Sequence, residues 1–325
     1  MTLVSLGAIQ KRVRSELDAV FDALERIVAS DLPFIQLVNR HLLRIKGKMF
    51  RPTLLLLSAR ATGGVIPRTV ILGAAVELIH LATLIHDDSV DHSVLRRGQP
   101  TVNALFSHQT AVIMGDYLYS RAIVDLVGLG ALEPLRIMSR VTNEMTVGEM
   151  WEIEAHDVLD FTIDDYEQLI DAKTASLMSG ACELGALSGD PVFREPLRRF
   201  GRHLGIAFQI VDDLLDYTST QDVTGKPAGL DLREHKITLP LIAALPAMTG
   251  VERAAVISLM DDPEPSGALI AEVVAHVARR GGIDAARVRA REAARLAASE
   301  LEGLPDSDAR DALQDCISYV VERRS

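Results

Sequence analysis

Residues 70–95 read V-I-L-G-A-A-V-E-L-I-H-L-A-T-L-I-H-D-D-S-V-D-H-S-V-L. A run this apolar, rich in Ala and Leu and free of Pro, predicts one long helix facing a core. Asp87, Asp88 and Asp91 stand near its end. At spacings of three and four they share one side of a helix. Carboxylates on a core-facing helix must be paired or hold a cation. A second cluster, Asp212, Asp213 and Asp216, repeats the D-D-x-x-D pattern inside another apolar segment, 195–217. One such cluster reads as a solvated acidic face. Two in apolar settings point to a pair of cation-holding sites.

The same helical period continues on both sides. Residues 5–30 carry Leu17, Val20, Phe21, Leu24, Ile27 and Val28 on one stripe, and Pro33 suits the first turn of the next helix. Arg51 to Ala61 is short and apolar. Helices are expected over 111–129, from Pro134 to about His156, over 164–188, and from Thr238 to Leu245. Four more are expected over 251–259, 267–280, 284–301 and 307–321. Residues 219–234, rich in Thr, Gly, Pro and Asp, read as loop, as do Gly98-Gln99-Pro100-Thr101. Alternating strand patterns are few and no linker is evident. The expectation is an all-α protein, a single domain over 1–325, its helices bundled around a central cavity.

The formal net charge of -11 speaks against nucleic acid as a partner and suits carboxylates that hold cations. Cys182 and Cys316 make neither a disulfide framework nor a metal pattern, so a reduced, cytoplasmic setting is expected. No apolar run reaches the ~18 residues of a membrane span; 111–132 is interrupted by Asp116, Arg121 and Asp125. No transmembrane segment is expected.

Cations recur beside the acidic clusters. Lys48 and Arg51 open the short apolar helix; Arg96 and Arg97 follow the first cluster; Lys173 sits inside an apolar helix; Lys226 and Lys236 bracket the loop after the second cluster. A lone Lys is usually a snorkelling surface residue. Repeated beside paired acids, such cations suit a bound polyanion, a diphosphate held by Mg²⁺ on one face and by Arg and Lys on the other.

The chain resembles the all-trans polyprenyl diphosphate synthases, the head-to-tail chain-elongating prenyltransferases. The resemblance rests on G-K-M-F-R-P at 47–52, E-L-I-H at 77–80, D-D-S-V-D with R-R-G at 87–98, G-D-Y-L at 115–118, K-T at 173–174, F-Q-I-V-D-D-L-L-D at 208–216 and G-K-P-A-G-L-D-L-R-E-H-K-I-T-L-P at 225–240. It implies that Asp87, Asp88, Asp91, Asp212, Asp213 and Asp216 bind several Mg²⁺ ions bridging an allylic diphosphate, with Asp91 and Asp216 acting less directly. It implies that Arg96, Lys173, Lys226 and Lys236 hold that diphosphate. Lys48, Arg51, His80 and Arg97 would hold isopentenyl diphosphate, and Thr174 and Gln209 would lie near the developing carbocation. A homodimer is implied too. His92 stands where the family often has an acid or amide. His86 and His92 are expected to be structural.

The growing tail would descend beneath Asp87, past Leu84, Thr83 and Ala82, with Ile79 and Val76 deeper. Short-product members of the family often place Phe or Tyr at the positions of Ala82 and Thr83. Both are small here, so a long-chain product is expected, its floor at Ile79, Val76 or the facing helix around Met114 and Leu118. A farnesyl or geranylgeranyl diphosphate synthase is the first alternative. A class I terpene cyclase accounts poorly for the second D-D-x-x-D cluster, and a non-catalytic partner subunit for two intact clusters. A helical scaffold leaves the cations unexplained. Arg323-Arg324 reads as a solvated tail.

Overall fold

The computed structural model describes residues 4–44, 47–154, 160–218 and 229–323. Lys226 and Arg324 lie outside them. The fold is all-α. Helices α1 (Leu6–Gln10) and α2 (Arg14–Ile27) are joined by a 3₁₀ turn at Lys11–Val13, so the expected single helix over 5–30 is broken. They are followed by α3 (Pro33–Arg44), α4 (Phe50–Thr62) and α5 (Pro67–Val90). After α6 (Val102–Leu105), α7 (His108–Gly128) and α8 (Leu132–Glu154) run long. Next come α9 (Ile163–Ile170), α10 (Ser176–Ala186) and α11 (Arg194–Thr218). Short α12 (Leu230–Arg233) and α13 (Leu239–Ala244) precede α14 (Gly250–Asp261), α15 (Gly267–Arg279), α16 (Gly282–Glu300) and α17 (Asp308–Glu322).

Helix α5 stops earlier than its composition suggests. Asp91 caps it, and His92 and Arg97 adopt left-handed backbone at φ 51° and 52°. Leu95–Arg96 then pair antiparallel with Gln99–Pro100 in a two-residue hairpin, with Gly98 at φ 73°. This turn folds Arg96 back onto α5. A helix running on to Leu95 would carry that guanidinium away along the axis.

By length and composition α5 alone, among the described residues, qualifies as a membrane span, which the sequence reading had not allowed for. It is a core helix: Leu72, Ala74, Ala75, Val76 and Leu78 have no exposed surface, and Glu77 is buried with them. It packs against α7 and α4. Helix α11 straddles two apolar clusters. Its Leu197, Phe200 and Leu204 join the larger one around α4, α5 and α10, while Ile210, Leu214 and Tyr217 join a second with α9, α13, α15 and α16. The second acid cluster therefore sits where both cores meet. Close approach of α10 to α4 requires a glycine, because a Cβ on Gly185 would overlap the Leu55 carbonyl.

The 164–188 segment is not one helix either. Residues Asp171–Ala175 form a π turn between α9 and α10, and Lys173 and Thr174 lie inside it. Such a wide turn redirects side chains from the helical track and is frequent at functional sites. Gly148 of α8 faces it; a Cβ there would lie 2.8 Å from the Lys173 amide nitrogen.

Candidate active site

Two groups of cations flank the aspartates. The first surrounds α5's C-terminus. Arg96 Nε lies 2.8 Å from both carboxylate oxygens of buried Asp88, a bidentate pair. Lys173 is held by Glu149 Oε2 at 2.9 Å and by Glu152, both from α8. Lys236 lies 3.0 Å from Glu234 and 3.8 Å from Asp91. Burial alone lowers an ammonium, but Glu152, Glu149 and Asp87 outweigh it and raise Lys173; Glu234, Glu152 and Asp91 do the same for Lys236. Asp87 is pushed up to about 6 by burial, opposed by Lys173 and reinforced by Asp91. Glu149 is pushed to about 7 by burial and the nearby Asp87 charge.

The second group lies on the α4 side. Arg51 Nη1 is 2.9 Å from His80 Nε2, and burial lowers the guanidinium to about 10 against the pull of Glu77. Burial with Arg51 and Arg97 holds His80 well below its ordinary 6.5, so its imidazole is neutral at physiological pH. Lys48 is lowered by burial and then by Arg323 and Arg97, while Asp212 opposes them. Met49, between Lys48 and α4, takes φ 50°, a left-handed turn that a non-glycine residue seldom adopts. Gly47 leaves room for Glu77, whose carboxylate would be 2.8 Å from a Cβ there.

The second cluster divides its tasks. Asp213 is buried; Tyr166 donates to its Oδ2 at 2.5 Å and Gln209 Nε2 to its Oδ1 at 2.8 Å. Gln209 in turn accepts from Thr174 Oγ1 at 2.9 Å. Burial pushes Asp213 to about 7 despite the two donors. Asp216 accepts from the Leu230 and Asp231 amides at 3.0 and 3.1 Å, capping α12. Asp212 pairs with Arg323 at 2.8 Å. The Arg323 side chain is 5% exposed, stacks 3.9 Å over the Phe208 ring and donates to the Phe208 carbonyl, which corrects its reading as a solvated tail.

Two cavities meet this cleft. One, about 200 Å³, runs between α9 and α11 past Glu152, Lys173, Gln209, Asp213 and Lys236. The other, about 410 Å³, descends from Asp87 between α5, α7 and α8, along Thr83, Ala82 and Ile79. Leu84 is not on its wall; it turns to a small pocket with Leu81 and Arg96. Val76, Met114 and Leu118 are buried core, while Ile79 and, from the facing helix α7, Asp116 and Tyr119 line the cavity. His86 also lines this cavity, Nε2 3.2 Å from the Val112 carbonyl and 3.5 Å from Asp116, its ring seated over Gly115, where a Cβ would overlap it. His92 stacks edge-on against His108, which bonds Ser89.

Among the described residues no three His, Cys, Asp or Glu side chains converge as a self-sufficient metal site. The donor set nevertheless suits Mg²⁺, which takes one or two carboxylates and completes its shell with water and phosphate oxygens. The Asp87 and Glu149 carboxyls are raised first by burial and then by neighbouring acids, against the pull of Lys173. Sequence reasoning missed Glu149, Glu152, Tyr166, Asp231 and Arg323. Each looked like an ordinary helix or loop residue, and only tertiary packing aims it at the cleft.

The polyprenyl synthetase family model matches residues 33–277. The chain is 41% identical over 298 residues to the all-trans-nonaprenyl-diphosphate synthase (geranyl-diphosphate specific) of Rhodobacter capsulatus, covering 91% of each. It is 35% identical over 322 residues to the octaprenyl diphosphate synthase of Escherichia coli, covering 98% of this chain and 99% of that one. A polyprenyl synthase from Caulobacter crescentus, solved with calcium and isoprenyl diphosphate, superposes with a TM-score of 0.94 at 32% identity over the full length of both. A helical fold with a cleft between paired acid clusters defines the isoprenoid synthase class. Within it, this chain belongs to the polyprenyl synthetase family.

Proposed function

We propose that the chain condenses isopentenyl diphosphate head-to-tail with an allylic diphosphate and repeats the step to a long-chain all-trans polyprenyl diphosphate. The observation that carries this is Lys236, 3.8 Å from Asp91, which ties the segment after the second cluster to the first cluster across one cleft. Beneath that cleft opens an apolar-sided cavity.

The residue roles follow from charge and position. Asp87 and Asp91 from one side and Asp212 from the other would hold Mg²⁺ with the allylic diphosphate; the metal supplies charge neutralisation for the leaving group. Asp88 and Asp213 are bound to Arg96 and to the Tyr166–Gln209 pair, so they fix those groups and contribute to the field. Asp216 acts through its cap on α12. Arg96, Lys173 and Lys236 take the allylic diphosphate, with Lys226 expected to join them. Lys48, Arg51 and Arg97 take isopentenyl diphosphate, and neutral His80 orients Arg51. Lys173 must leave Glu149 and Glu152 to meet a phosphate, which gives those two acids a part in releasing and recapturing it. Fixed charges aimed at a departing diphosphate lower the barrier to ionisation. The Thr174–Gln209 pair places dipoles beside the allylic carbon, and the apolar walls exclude water from the cation. The isopentenyl double bond attacks, a proton leaves to the released diphosphate, and the lengthened allylic product re-enters the cycle.

Small Ala82 and Thr83 leave the upper wall open for the tail, and Ala82→Tyr would shorten the product. A homodimer is part of the proposal: exposed Val112, Ile113, Val124, Val127, Met150 and Trp151 on α7 and α8 suit a second copy. The setting is cytoplasmic, with the protein forming one domain. The test is incubation of the purified protein with Mg²⁺, isopentenyl diphosphate and farnesyl diphosphate, followed by sizing of products. Lengthened allylic diphosphates support the proposal; cyclic hydrocarbon from the allylic substrate alone rejects it.

A further inference from the structure

Tyr166 and Thr174 both reach α11, Tyr166 bonding Asp213 and Thr174 bonding Gln209. On an unbroken α-helix, residues eight apart point about 80° away from each other. The π turn at Asp171–Ala175 lies between them and includes Thr174. It winds fewer degrees per residue, and by Thr174 it has removed most of that difference. Asp213 and Gln209, four apart on α11, offer one face to receive the pair. A straight helix over 163–186 would turn one of the two away from α11.

Turns of this kind are rare, and the surroundings must hold this one. The Ser176 amide donates to the Asp171 carbonyl, five residues back, and Ser176 Oγ donates to the Ala172 carbonyl at 2.6 Å. Arg202 of α11 grips the Asp171 carboxylate as a fork, Nε on Oδ1 and Nη2 on Oδ2. The same Nη2 lies 3.9 Å from Glu144 of α8. The pair is partly buried, and two parallel bonds fix both partners in a way a single surface contact does not. One turn on along α11, Gly205 lets Ala175 lie against the helix backbone, where a Cβ would overlap it. Neither Asp171 nor Arg202 lines either cavity. Arg202 precedes Gln209 by two turns of α11, roughly 10 Å. Any effect of Arg202 on the chemistry must therefore pass through the π turn.

We propose that Arg202 locks the π turn through Asp171 and is thereby a positioning residue for the Thr174–Gln209 pair. It rests on the elongation reading of the cleft. Helix α11 supplies both Gln209, which receives the Thr174 hydroxyl, and Arg202, which fixes the turn that presents it. Donor and acceptor are thus registered against one helix, the one that carries the second acid cluster. Loss of the fork lets Asp171–Ala175 rewind toward α geometry. Thr174 then turns off Gln209 while Tyr166 stays on Asp213, and the dipole beside the allylic carbon is lost.

The experiment measures the first condensation under single turnover, with enzyme in excess over farnesyl diphosphate, Mg²⁺ saturating and isopentenyl diphosphate varied. It compares wild type with Arg202→Met, Arg202→Lys and Asp171→Asn, each also in a Thr174→Val background. Misplacing a catalytic group by about 1 Å costs on the order of 100-fold, so Arg202→Met should lower the maximal rate by about 10- to 100-fold. The isopentenyl diphosphate concentration at half-maximal rate should stay within about twofold, because Lys48, Arg51 and Arg97 are untouched. Arg202→Lys keeps the charge but cannot fork, and should recover only part of the rate. In the Thr174→Val background the cost of Arg202→Met should shrink to about twofold, since the group it positions is gone. A wild-type rate in Arg202→Met, even with a lowered melting temperature, makes the pair merely structural and overturns the proposal. An undiminished cost in the Thr174→Val background overturns it too, as does full recovery by Arg202→Lys. Should Arg202→Met not fold, the nearly isosteric Asp171→Asn decides by the same comparisons of rate and background. Wild-type protein that fails to lengthen farnesyl diphosphate overturns the elongation reading and this one with it. Wild-type elongation with unmoved variants overturns this one alone.

Discussion

Arg323 Nη2 lies 2.8 Å from Asp212 Oδ1, so the end of α17 is tied to the first acid of the second cluster. The same guanidinium covers Phe208 and lowers the affinity of Lys48 for its proton. It thereby belongs to the Lys48–Arg51 group of cations and adds to their charge.

Replacing Arg323 with Gln removes that charge and shortens the side chain while keeping it polar. One charge-assisted contact is worth ~1.5 kcal/mol or more, so the KM for isopentenyl diphosphate should rise about tenfold. The KM for the allylic substrate should move much less, because Arg96, Lys173 and Lys236 are untouched. Steady-state kinetics with each substrate varied in turn reads this split. Equal changes in both constants would remove Arg323 from the isopentenyl side.

His80 makes stability depend on pH in a definite direction. Burial, Arg51 and Arg97 hold its folded-state pKa well below 6.5. Between that value and 6.5 the unfolded chain binds a proton that the folded chain does not, so stability is full above pH 6.5 and falls on acidification. The slope from this one group approaches ~1 kcal/mol per pH unit. Urea unfolding from pH 7 to 5 should show His80→Gln gaining stability relative to wild type as the pH falls. Parallel curves would mean that His80 is not the titrating group.

Much of this was legible in advance and some was not, for physical reasons. Helix existence follows from apolar period, so α4, α5, α7, α8 and α11 were readable, as were the acid clusters on two of them. Their ends depended on backbone turns without a strong sequence signal: His92 and Arg97 are left-handed without being Gly or Asn. The π turn at 171–175 hides inside an ordinary helical pattern, since Ala and Thr fit either geometry. Glu149 and Glu152 resemble solvated helix residues until α8 is laid against Lys173. Leu84 looked like cavity wall because the helical period places it within a turn of Asp87; it instead shares the face of Leu81, Ile85 and Asp88, which looks toward Leu42 of α3 and Val102 of α6.

Asp216 and Asp87 should part company in stability. Asp216 caps α12 through two amides, a contribution of ~1 kcal/mol that Asp216→Ala removes. Asp216→Asn keeps an acceptor oxygen and should restore most of it. Asp87→Asn removes an acid raised by burial and should leave the unfolding midpoint unchanged or higher while activity falls. Thermal unfolding of the three variants distinguishes the cap from the ligand. A destabilised Asp87→Asn protein would contradict the assignment.

The carboxylates around Lys173 tie metal binding to pH. Asp87 is raised from 3.8 to about 6 and Glu149 from 4.5 to about 7. Across that interval the folded chain holds protons that the unfolded chain has released, so these two groups contribute stability that is lost as pH rises from about 4 to 7. Mg²⁺ competes with those protons, and its binding strengthens as they leave. The rise in melting temperature on adding Mg²⁺ should therefore be larger at pH 8 than at pH 6 and should vanish with EDTA. Glu149→Gln removes the one of these two acids that titrates nearer neutrality. It should flatten the metal-free profile between pH 5 and 7 and reduce the difference in Mg²⁺ response between pH 6 and 8. A Mg²⁺ response of the same size at both pH values in wild type would show that the ion does not neutralise this cluster. The ion would then have to be sought at Asp212 instead.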